Sequence, residues 1–155
     1  MTNYDDHTVI HALRRTGILA PRYIEHLLAH GRPYASIPLP EGMRRFPAGQ
    51  CIEASEHLKR RHGLARVQGW CVGPPSLIRS GKPFWHAFNT SDDETAIDAS
   101  LPDPEECHYF GVPGPDRGDE FDHMVLGMPR KPRSLLPRDL SAGAFTRSLE
   151  RSFRF

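Results

Sequence analysis

The spacing of hydrophobic residues changes along this chain, and each spacing predicts a different element. Apolar side chains three and four residues apart predict short helices over residues 8–15 and 21–30, each followed by a glycine. Four prolines then fall within residues 32–49, where they remove amide donors and disfavour helix, so a loop is predicted there. Helical spacing returns at Cys51 and ends at Gly63, which predicts a third helix.

Three short runs after this helix have the composition of β-strands, and each is bounded by Gly, Pro or acidic turn residues. They cover residues 65–72, 84–90 and 95–100. Beyond Tyr109 the pattern weakens, and only residues 142–153 show helical spacing again. The simplest assembly is an α+β fold, in which the helix that begins at Cys51 packs on a small antiparallel β-sheet.

The same pattern predicts one domain over residues 1–155. Residues 1–48 form a helical preface, the core covers about residues 50–112, and residues 113–155 form a Pro-rich, basic extension. A chain of 155 residues with 38% hydrophobic residues is long enough to bury one core and short for two.

Charge and cysteine content restrict the function classes. Twenty Lys and Arg against 19 Asp and Glu give a net charge of +1, which excludes a bulk attraction to nucleic acid or to an anionic membrane. The three cysteines, Cys51, Cys71 and Cys107, form no CxxC pair, which argues against a disulfide framework and a thiolate zinc site. No signal peptide and no apolar stretch of 18 residues is present, so a soluble cytoplasmic protein is expected, with signal-less export left open.

Cys51 is the candidate nucleophile because of its place at the start of a helix. The unpaired N–H groups and the positive end of the helix dipole favour a thiolate there, and the thiolate is the reactive form. The same N–H groups can stabilise an oxyanion, with Gln50 as a further donor. The alternative interpretation is a buried structural cysteine.

His86 and Asp98 are the candidate base and its orienter. Strand alternation places His86 on the same face as Phe84 and Phe88. A three-residue loop over residues 91–93 would set His86 directly opposite Asp98, with Cβ atoms about 4.5–5.5 Å apart. A two-residue loop would move Asp98 to the other face. The alternatives are a structural histidine and an aspartate that caps a turn.

Five runs of sequence carry a resemblance to a known family: Gln50-Cys51-Ile52-Glu53-Ala54, Val67-Gln68-Gly69-Trp70, His86-Ala87-Phe88-Asn89, Ile97-Asp98-Ala99-Ser100 and Tyr109-Phe110-Gly111-Val112. Over about residues 50–112 the chain resembles the transglutaminase-like branch of the papain-type cysteine enzymes. The resemblance implies an α+β core with Cys51 as nucleophile, His86 as general base and then acid, and Asp98 as orienter.

Two functions of different classes remain. The first is a cysteine-dependent hydrolase or acyltransferase that acts on an amide or ester bond of a peptide or protein through an acyl-thioester at Cys51. Gln50, Trp70 and Trp85 would then stabilise the oxyanion or bind substrate, and no cofactor or metal is required. The second is a non-catalytic binding module of the same fold that holds a peptide, protein or nucleic acid in its cleft or on its basic tail.

The sequence contains three weaker patterns besides this site. The C-terminal segment has a basic excess that could contact an acidic partner or nucleic acid, or could be a solvated face: Arg130, Lys131, Arg133, Arg138, Arg147, Arg151 and Arg154 against Asp139 and Glu150. Two histidine pairs with i,i+4 spacing, His7 with His11 and His26 with His30, lack an HExxH frame and are interpreted as solvated helix faces. Adjacent Cys107 and His108 lack the usual spacing of metal ligands.

Overall fold

The computed structural model describes residues 3–74 and 81–114, and these residues form an α+β fold, as predicted. In chain order the elements are α1 (Thr8–Thr16), α2 (Pro21–His30), β1 (Arg32–Ser36), α3 (Cys51–His62), β2 (Ala65–Val72), β3 (Phe84–Thr90), β4 (Thr95–Ala96), a 3-10 turn (Pro104–Glu106) and β5 (His108–Pro113). Within these two stretches, no helix has the length and apolar character needed to cross a bilayer. The helix predicted over residues 142–153 and the basic segment from Arg130 lie outside the described residues.

The five strands form one mixed sheet in the order β3-β2-β5-β1-β4. β2 is antiparallel to β3 and β5, and β5 is antiparallel to β1, but β1 and β4 run parallel. The prediction of a purely antiparallel sheet was therefore wrong at this one pair. Because β1 and β4 are far apart in the chain, no hairpin turn forces them to be antiparallel.

The loop predicted over residues 32–49 was wrong for its first five residues, which form β1. Pro33 lies in the part of β1 that pairs only with β5, ahead of Ala35 and Ser36, which pair with β4. A proline is tolerated in such a half-paired part of a strand because the ladder does not need its amide on the open side. The number of prolines therefore predicted a loop that begins too early in the chain.

The predicted third strand is also shorter than expected, and β5 was not predicted. Regular pairing over residues 95–100 is limited to β4, followed by an isolated bridge between Asn89 and Ile97. Asn89 N donates to Ile97 O at 2.9 Å, and Ile97 N donates to Asn89 O at 2.7 Å. β3 and β4 are the two edge strands of the sheet. Because this bridge joins β3 to the residue directly after β4, the two edges come together and the sheet curls.

The curled sheet separates two hydrophobic clusters. The inner cluster contains no helix residue: Tyr34, Val67, Cys71, Phe84, Phe88, Ala96, Leu101, Cys107 and Tyr109. The outer cluster joins α1, α2 and the start of α3 to the other face of the sheet: Val9, Ile10, Ala12, Leu13, Leu19, Ile24, Leu27, Cys51, Trp70, Val72, Trp85, Ala87, Phe110 and Val112. Strand alternation thus sends neighbouring residues of β2 and β3 into different clusters.

Polar contacts fix α3 on the outer face of β2 and β3. Asn89 Nδ2 donates to the carbonyl of Ser55 at 2.9 Å. Arg66 Nε donates to Ser55 Oγ at 2.9 Å, and Arg66 Nη1 contacts Glu56 Oε1 at 3.0 Å. Both strands therefore hold the same turn of α3, which sets the position of Cys51 one turn earlier.

Gly69 is required by the close approach of β2 and β5. It lies opposite His86 in β3 and opposite Gly111 in β5. A Cβ atom at Gly69 would overlap Phe110 O and Gly111 Cα, which are backbone atoms that cannot rotate away. The absence of a side chain here lets the sheet curl tightly beside His86.

Gly69→Ala is expected to destabilise the protein by about 3 kcal/mol, because the added methyl group forces two paired strands apart. Gly63→Ala is the matched control, since Gly63 has φ of 68° and open space around its missing Cβ. That substitution carries only the left-handed backbone strain of about 1 kcal/mol. Urea unfolding of both variants measures the difference, and equal destabilisation would contradict the steric explanation.

Candidate active site

The structure brings His86 and Asp98 together in the inner side of the curled sheet. His86 Nε2 lies 2.8 Å from Asp98 Oδ2, and the two side chains are 2% and 1% exposed. His86 belongs to β3, and Asp98 follows β4 directly after the Asn89–Ile97 bridge. A carboxylate in this position fixes both the orientation and the tautomer of the imidazole ring.

The register that produces this contact differs from the predicted one. The turn from β3 to β4 spans residues 91–94, and the pairing of Asn89 with Ile97 sets Asp98 beside Phe88 rather than directly opposite His86. Asp92 lengthens the turn, because its carboxylate accepts hydrogen bonds from Glu94 N at 2.9 Å and Thr95 N at 2.8 Å. The shift is two residues, so Asp98 keeps its face and reaches His86 diagonally.

Three further hydrogen bonds hold the Asp98 carboxylate. Tyr109 OH donates to Oδ2 at 2.7 Å, the same oxygen that contacts His86. Ser100 donates to Oδ1 through its backbone N and through its hydroxyl, both at 3.0 Å. Both carboxylate oxygens therefore have donors, which is the condition under which a carboxylate can be buried as an anion.

These contacts keep Asp98 ionised despite its burial. Burial alone raises the pKa of Asp98, but the charge of His86, the hydrogen bond from its ring, and the bonds from Ser100 N and Tyr109 OH together outweigh it. The net pKa of Asp98 lies below its ordinary value. A charged carboxylate in turn favours the protonated imidazole beside it.

Aromatic rings surround His86 on the inner face. The Phe84 ring meets it edge-on with centroids 5.4 Å apart, the Phe88 ring is stacked at 6.5 Å, and the Tyr109 ring is tilted at 6.3 Å. These rings exclude water and strengthen the electrostatic contact with Asp98. Because Nε2 faces Asp98, any proton exchange between His86 and a thiol has to use Nδ1.

Cys51 is the first residue of α3 and is 1% exposed. Gln50 is the N-cap residue, and among the described residues its side chain makes no capping hydrogen bond, so it does not compete for the first N–H groups of the helix. Cys51 belongs to the outer cluster together with Trp85 and Ala87, the two residues that flank His86 in β3. Direct contact between the Cys51 sulfur and the His86 ring stays a prediction.

Cys71 is a buried thiol whose pKa is raised by its surroundings. Cys71 lies in β2 opposite Phe84 and Tyr109, on the His86 side of the sheet. Burial is the largest cause that raises the pKa of Cys71. A hydrogen bond with Cys107 and the charges of Asp98 and Cys51 raise it further.

The two tryptophans predicted to bind substrate lie side by side in the outer cluster with Cys51. Trp70 is paired with Trp85 across β2 and β3, and each is 2% exposed. Trp85 Nε1 is a buried donor with no acceptor among the described residues. Leaving such a donor unsatisfied costs about 1–3 kcal/mol, so an oxygen of a bound ligand would be a favourable acceptor.

Sequence reasoning did not single out Ser100 or Tyr109 as parts of this site. Ser100 could have been found, because an aspartate two residues before a serine commonly accepts its backbone N–H in a local turn. Tyr109 could not, since its contact with Asp98 depends on the register of β5, which no local pattern predicts. Tyr109 is fully buried, and burial followed by the charge of Asp98 raises its pKa well above the ordinary value.

The other candidate ligand residues do not assemble into a site. His7 caps α1 by accepting a hydrogen bond from Val9 N at 3.2 Å, so it is not a solvated residue of the helix face as expected. The rings of His26 and His30 on α2 are tilted to each other by 41°, with centroids 4.3 Å apart. Over residues 3–74 and 81–114, no three His, Cys, Asp or Glu side chains are grouped to hold a metal ion.

A cavity of about 440 Å³ lies between the segment that precedes Cys51 and the segment that follows Asp98. Its lining consists of Arg45, Phe46, Pro47, Ala48, Ser100, Leu101 and Pro102. Phe46 N donates to Ala99 O at 2.8 Å, which holds the two walls together. One wall therefore leads to the candidate nucleophile, and the other contains the serine that binds Asp98.

Comparisons of the chain with protein-family models, with curated proteins and with solved structures found no match. The resemblance of its motifs to the transglutaminase-like enzymes therefore remains an expectation.

Tyr109→Phe is expected to lower the free energy of unfolding at pH 7 by about 1.5–3 kcal/mol, because a buried carboxylate loses one of its donors. The depressed pKa of Asp98 contributes stability that is present above its unfolded pKa of about 3.9 and is lost as the pH falls through the folded pKa. The difference between wild type and variant should therefore shrink below about pH 4. Urea unfolding at several pH values measures it.

Tyr34→Phe is the matched control for this prediction. Tyr34 is a buried tyrosine of the same inner cluster, and its OH has no hydrogen-bond partner among the described residues. Its removal should be nearly neutral or stabilising at every pH. Equal losses in the two variants would show that the Tyr109 hydroxyl does not support Asp98.

Proposed function

We propose that this protein is a cysteine-dependent hydrolase or acyltransferase that acts on an amide or ester bond, in the manner of the transglutaminase-like branch of the papain-type enzymes. Cys51 is the nucleophile, His86 is the general base and then acid, and Asp98 is the orienter. The observation that carries the proposal is the buried contact between His86 Nε2 and an ionised Asp98. Because Nε2 contacts Asp98, Nδ1 is the ring atom that we propose as the acceptor of the thiol proton.

Burial of a charged carboxylate needs a reason, because removing it from water is costly even when it has donors. Beside a histidine the charge has a chemical use: it stabilises the imidazolium that forms when the ring accepts the thiol proton. The start of α3 supports the other half of the ion pair, since the helix dipole favours a thiolate at Cys51. Both effects lower the energy of the same state, in which Cys51 is a thiolate and His86 is an imidazolium.

The reaction proceeds in two acyl transfers. His86 Nδ1 takes the Cys51 proton, the sulfur attacks the carbonyl carbon, and the carbonyl oxygen becomes an oxyanion. N–H groups at the start of α3 and Trp85 Nε1 are the candidate donors to that oxyanion. His86 then gives its proton to the leaving amine or alcohol, and an acyl-thioester remains. Water or an amine, deprotonated by His86, attacks the thioester and releases Cys51.

The substrate class that fits this scheme is a peptide or protein. None of the three cysteines forms a disulfide, which fits a compartment that keeps thiols reduced, such as the cytoplasm.

Cys51 is 1% exposed, so a substrate reaches its sulfur only when a neighbouring part of the chain moves away. Enzymes whose active sites open before each turnover work in this way.

The same burial favours a second candidate, a non-catalytic binding module that uses the fold to hold a peptide, protein or nucleic acid. His86 and Asp98 would then stabilise the inner cluster only, and Cys51 would be a core residue of the outer one. The two functions differ in one measurable property, the reactivity of Cys51.

Alkylation of Cys51 by iodoacetamide is expected to stay fast well below the ordinary thiol pKa of about 8.5 and to fall only in mildly acidic solution. Asp98→Asn should move this acidic limb to higher pH, because without the carboxylate the imidazolium and hence the ion pair become less favourable. In His86→Gln, the alkylation rate of Cys51 should depend on pH as it does for an ordinary cysteine. Site-resolved mass spectrometry across pH measures each rate.

Cys71 and Cys107 serve as internal references in the same experiment. Cys71 is fully buried and its pKa is raised, so it should label slowly throughout. A hydrogen bond with Cys71 lowers the pKa of Cys107, so labelling is repeated in a Cys107→Ser background to remove a competing thiol. Alkylation of Cys51 that rises only around pH 8–9 and ignores His86 and Asp98 would favour the binding module.

A further inference from the structure

The cavity beside the candidate site has one charged residue among its described lining residues. Arg45 is exposed at its edge, and the other lining side chains are apolar apart from Ser100. Arg45 Nη1 donates to the carbonyls of Pro102 at 3.1 Å and Leu101 at 3.4 Å, across the cavity from its own segment. These neutral acceptors fix the guanidinium without cancelling its charge.

Electrostatics therefore favours an anion in this cavity. Arg45 is held by backbone carbonyls rather than by a carboxylate, and no Asp or Glu is among the described lining residues. A guanidinium presents a planar fork of donors that matches a carboxylate in shape as well as in charge. The walls of Phe46, Pro47 and Leu101 suit an aliphatic stem attached to that carboxylate.

The position of the cavity relates it to the proposed chemistry. Pro47 and Ala48 lie four and three residues before Cys51, and Ser100 is hydrogen-bonded to Asp98. The cavity is thus adjacent along the chain to the candidate nucleophile and is joined by a hydrogen bond to the candidate orienter. The volume of about 440 Å³ is largely open to solvent and has room for a side chain together with its peptide bond.

We propose that this cavity binds the acyl part of the substrate and that Arg45 selects an acyl group carrying a carboxylate, as in a glutamate-like residue of a peptide. The proposal rests on the proposed function, because it assigns the substrate preference of the same site. It makes the protein selective for acidic acyl donors rather than for neutral or basic ones. Arg45 acts here as a specificity residue and takes no part in bond making.

Two isosteric electrophiles test this selectivity, the chloromethyl ketones of N-acetyl-glutamate and N-acetyl-glutamine, in which the ketone replaces the α-carboxyl group and the side chain lies on the acyl side of the reacting carbon. In each, the Cys51 sulfur forms a C–S bond as chloride leaves, so only the charge of the side chain differs. The ratio of the two labelling rates at Cys51, divided by the ratio for a free small thiol, should be about 3 to 5 in wild type. The preference should fall as salt is added, because Arg45 is exposed.

Variants assign this ratio to Arg45. Arg45→Gln should bring it to about 1, and Arg45→Lys should keep part of it, since the charge remains while the planar fork is lost. Arg61→Gln, which removes an equal charge from the exposed far end of α3, should leave it unchanged. Circular dichroism and thermal unfolding check that each variant is folded, and the ratio cancels any general effect on the Cys51 thiolate.

The outcomes separate this proposal from the proposed function. A ratio near 1 in wild type, or the same ratio in wild type and Arg45→Gln, with Cys51 still far more reactive than Cys107 towards the glutamine reagent, overturns the acidic preference and leaves the thiol enzyme standing. If Cys51 reacts no faster than Cys107 with either reagent, the proposed function fails and the substrate preference fails with it.

Discussion

The buried carboxylate of Asp98 is the constraint on which the rest of this structure depends. An anion removed from water destabilises the fold unless donors surround it, and the donors here come from three separate parts of the chain. His86 comes from β3, Ser100 from the segment after Asp98, and Tyr109 from β5. If one of these segments shifts, the charge loses a donor. The geometry that orients the imidazole is therefore maintained by the stability of the whole inner face, and a substitution that loosens the base also loosens the fold.

The sheet separates the two halves of the candidate site. His86 and Asp98 lie among the rings of the inner cluster, whereas Cys51 starts a helix that packs on the outer face. The segment before Cys51 joins the halves, because Phe46 N binds Ala99 O in the residue directly after Asp98. The nucleophile segment and the orienter segment are thus hydrogen-bonded neighbours. Under the proposed function this connection brings the helix and the sheet to one site, and it lies beside the cavity that Arg45 borders.

Local patterns predicted the elements that local physics determines. α3 ends where Gly63 adopts a left-handed conformation, and β2 and β3 follow their predicted ranges. The predictions failed where distant contacts decide. Pro33 indicated a loop, yet pairing with β5 makes its segment a strand. The side chain of Asp92 bound backbone amides of the turn and moved the register by two residues. Tyr109 entered the site only because β5 lies between β1 and β2, and alternation within one strand contains no information about that neighbour.

The position of β5 has a consequence for the order in which the protein can form. β5 is the last of the five strands along the chain, but it lies at the centre of the sheet, between β2 and β1. A chain emerging from the ribosome presents the other four strands first, and β1 and β2 then lack the neighbour that joins them. Non-local pairing of this kind delays completion of the sheet until late in synthesis. Tyr109 reaches Asp98 at that last step, so the set of donors that holds the buried carboxylate is complete only after β5 has joined the sheet.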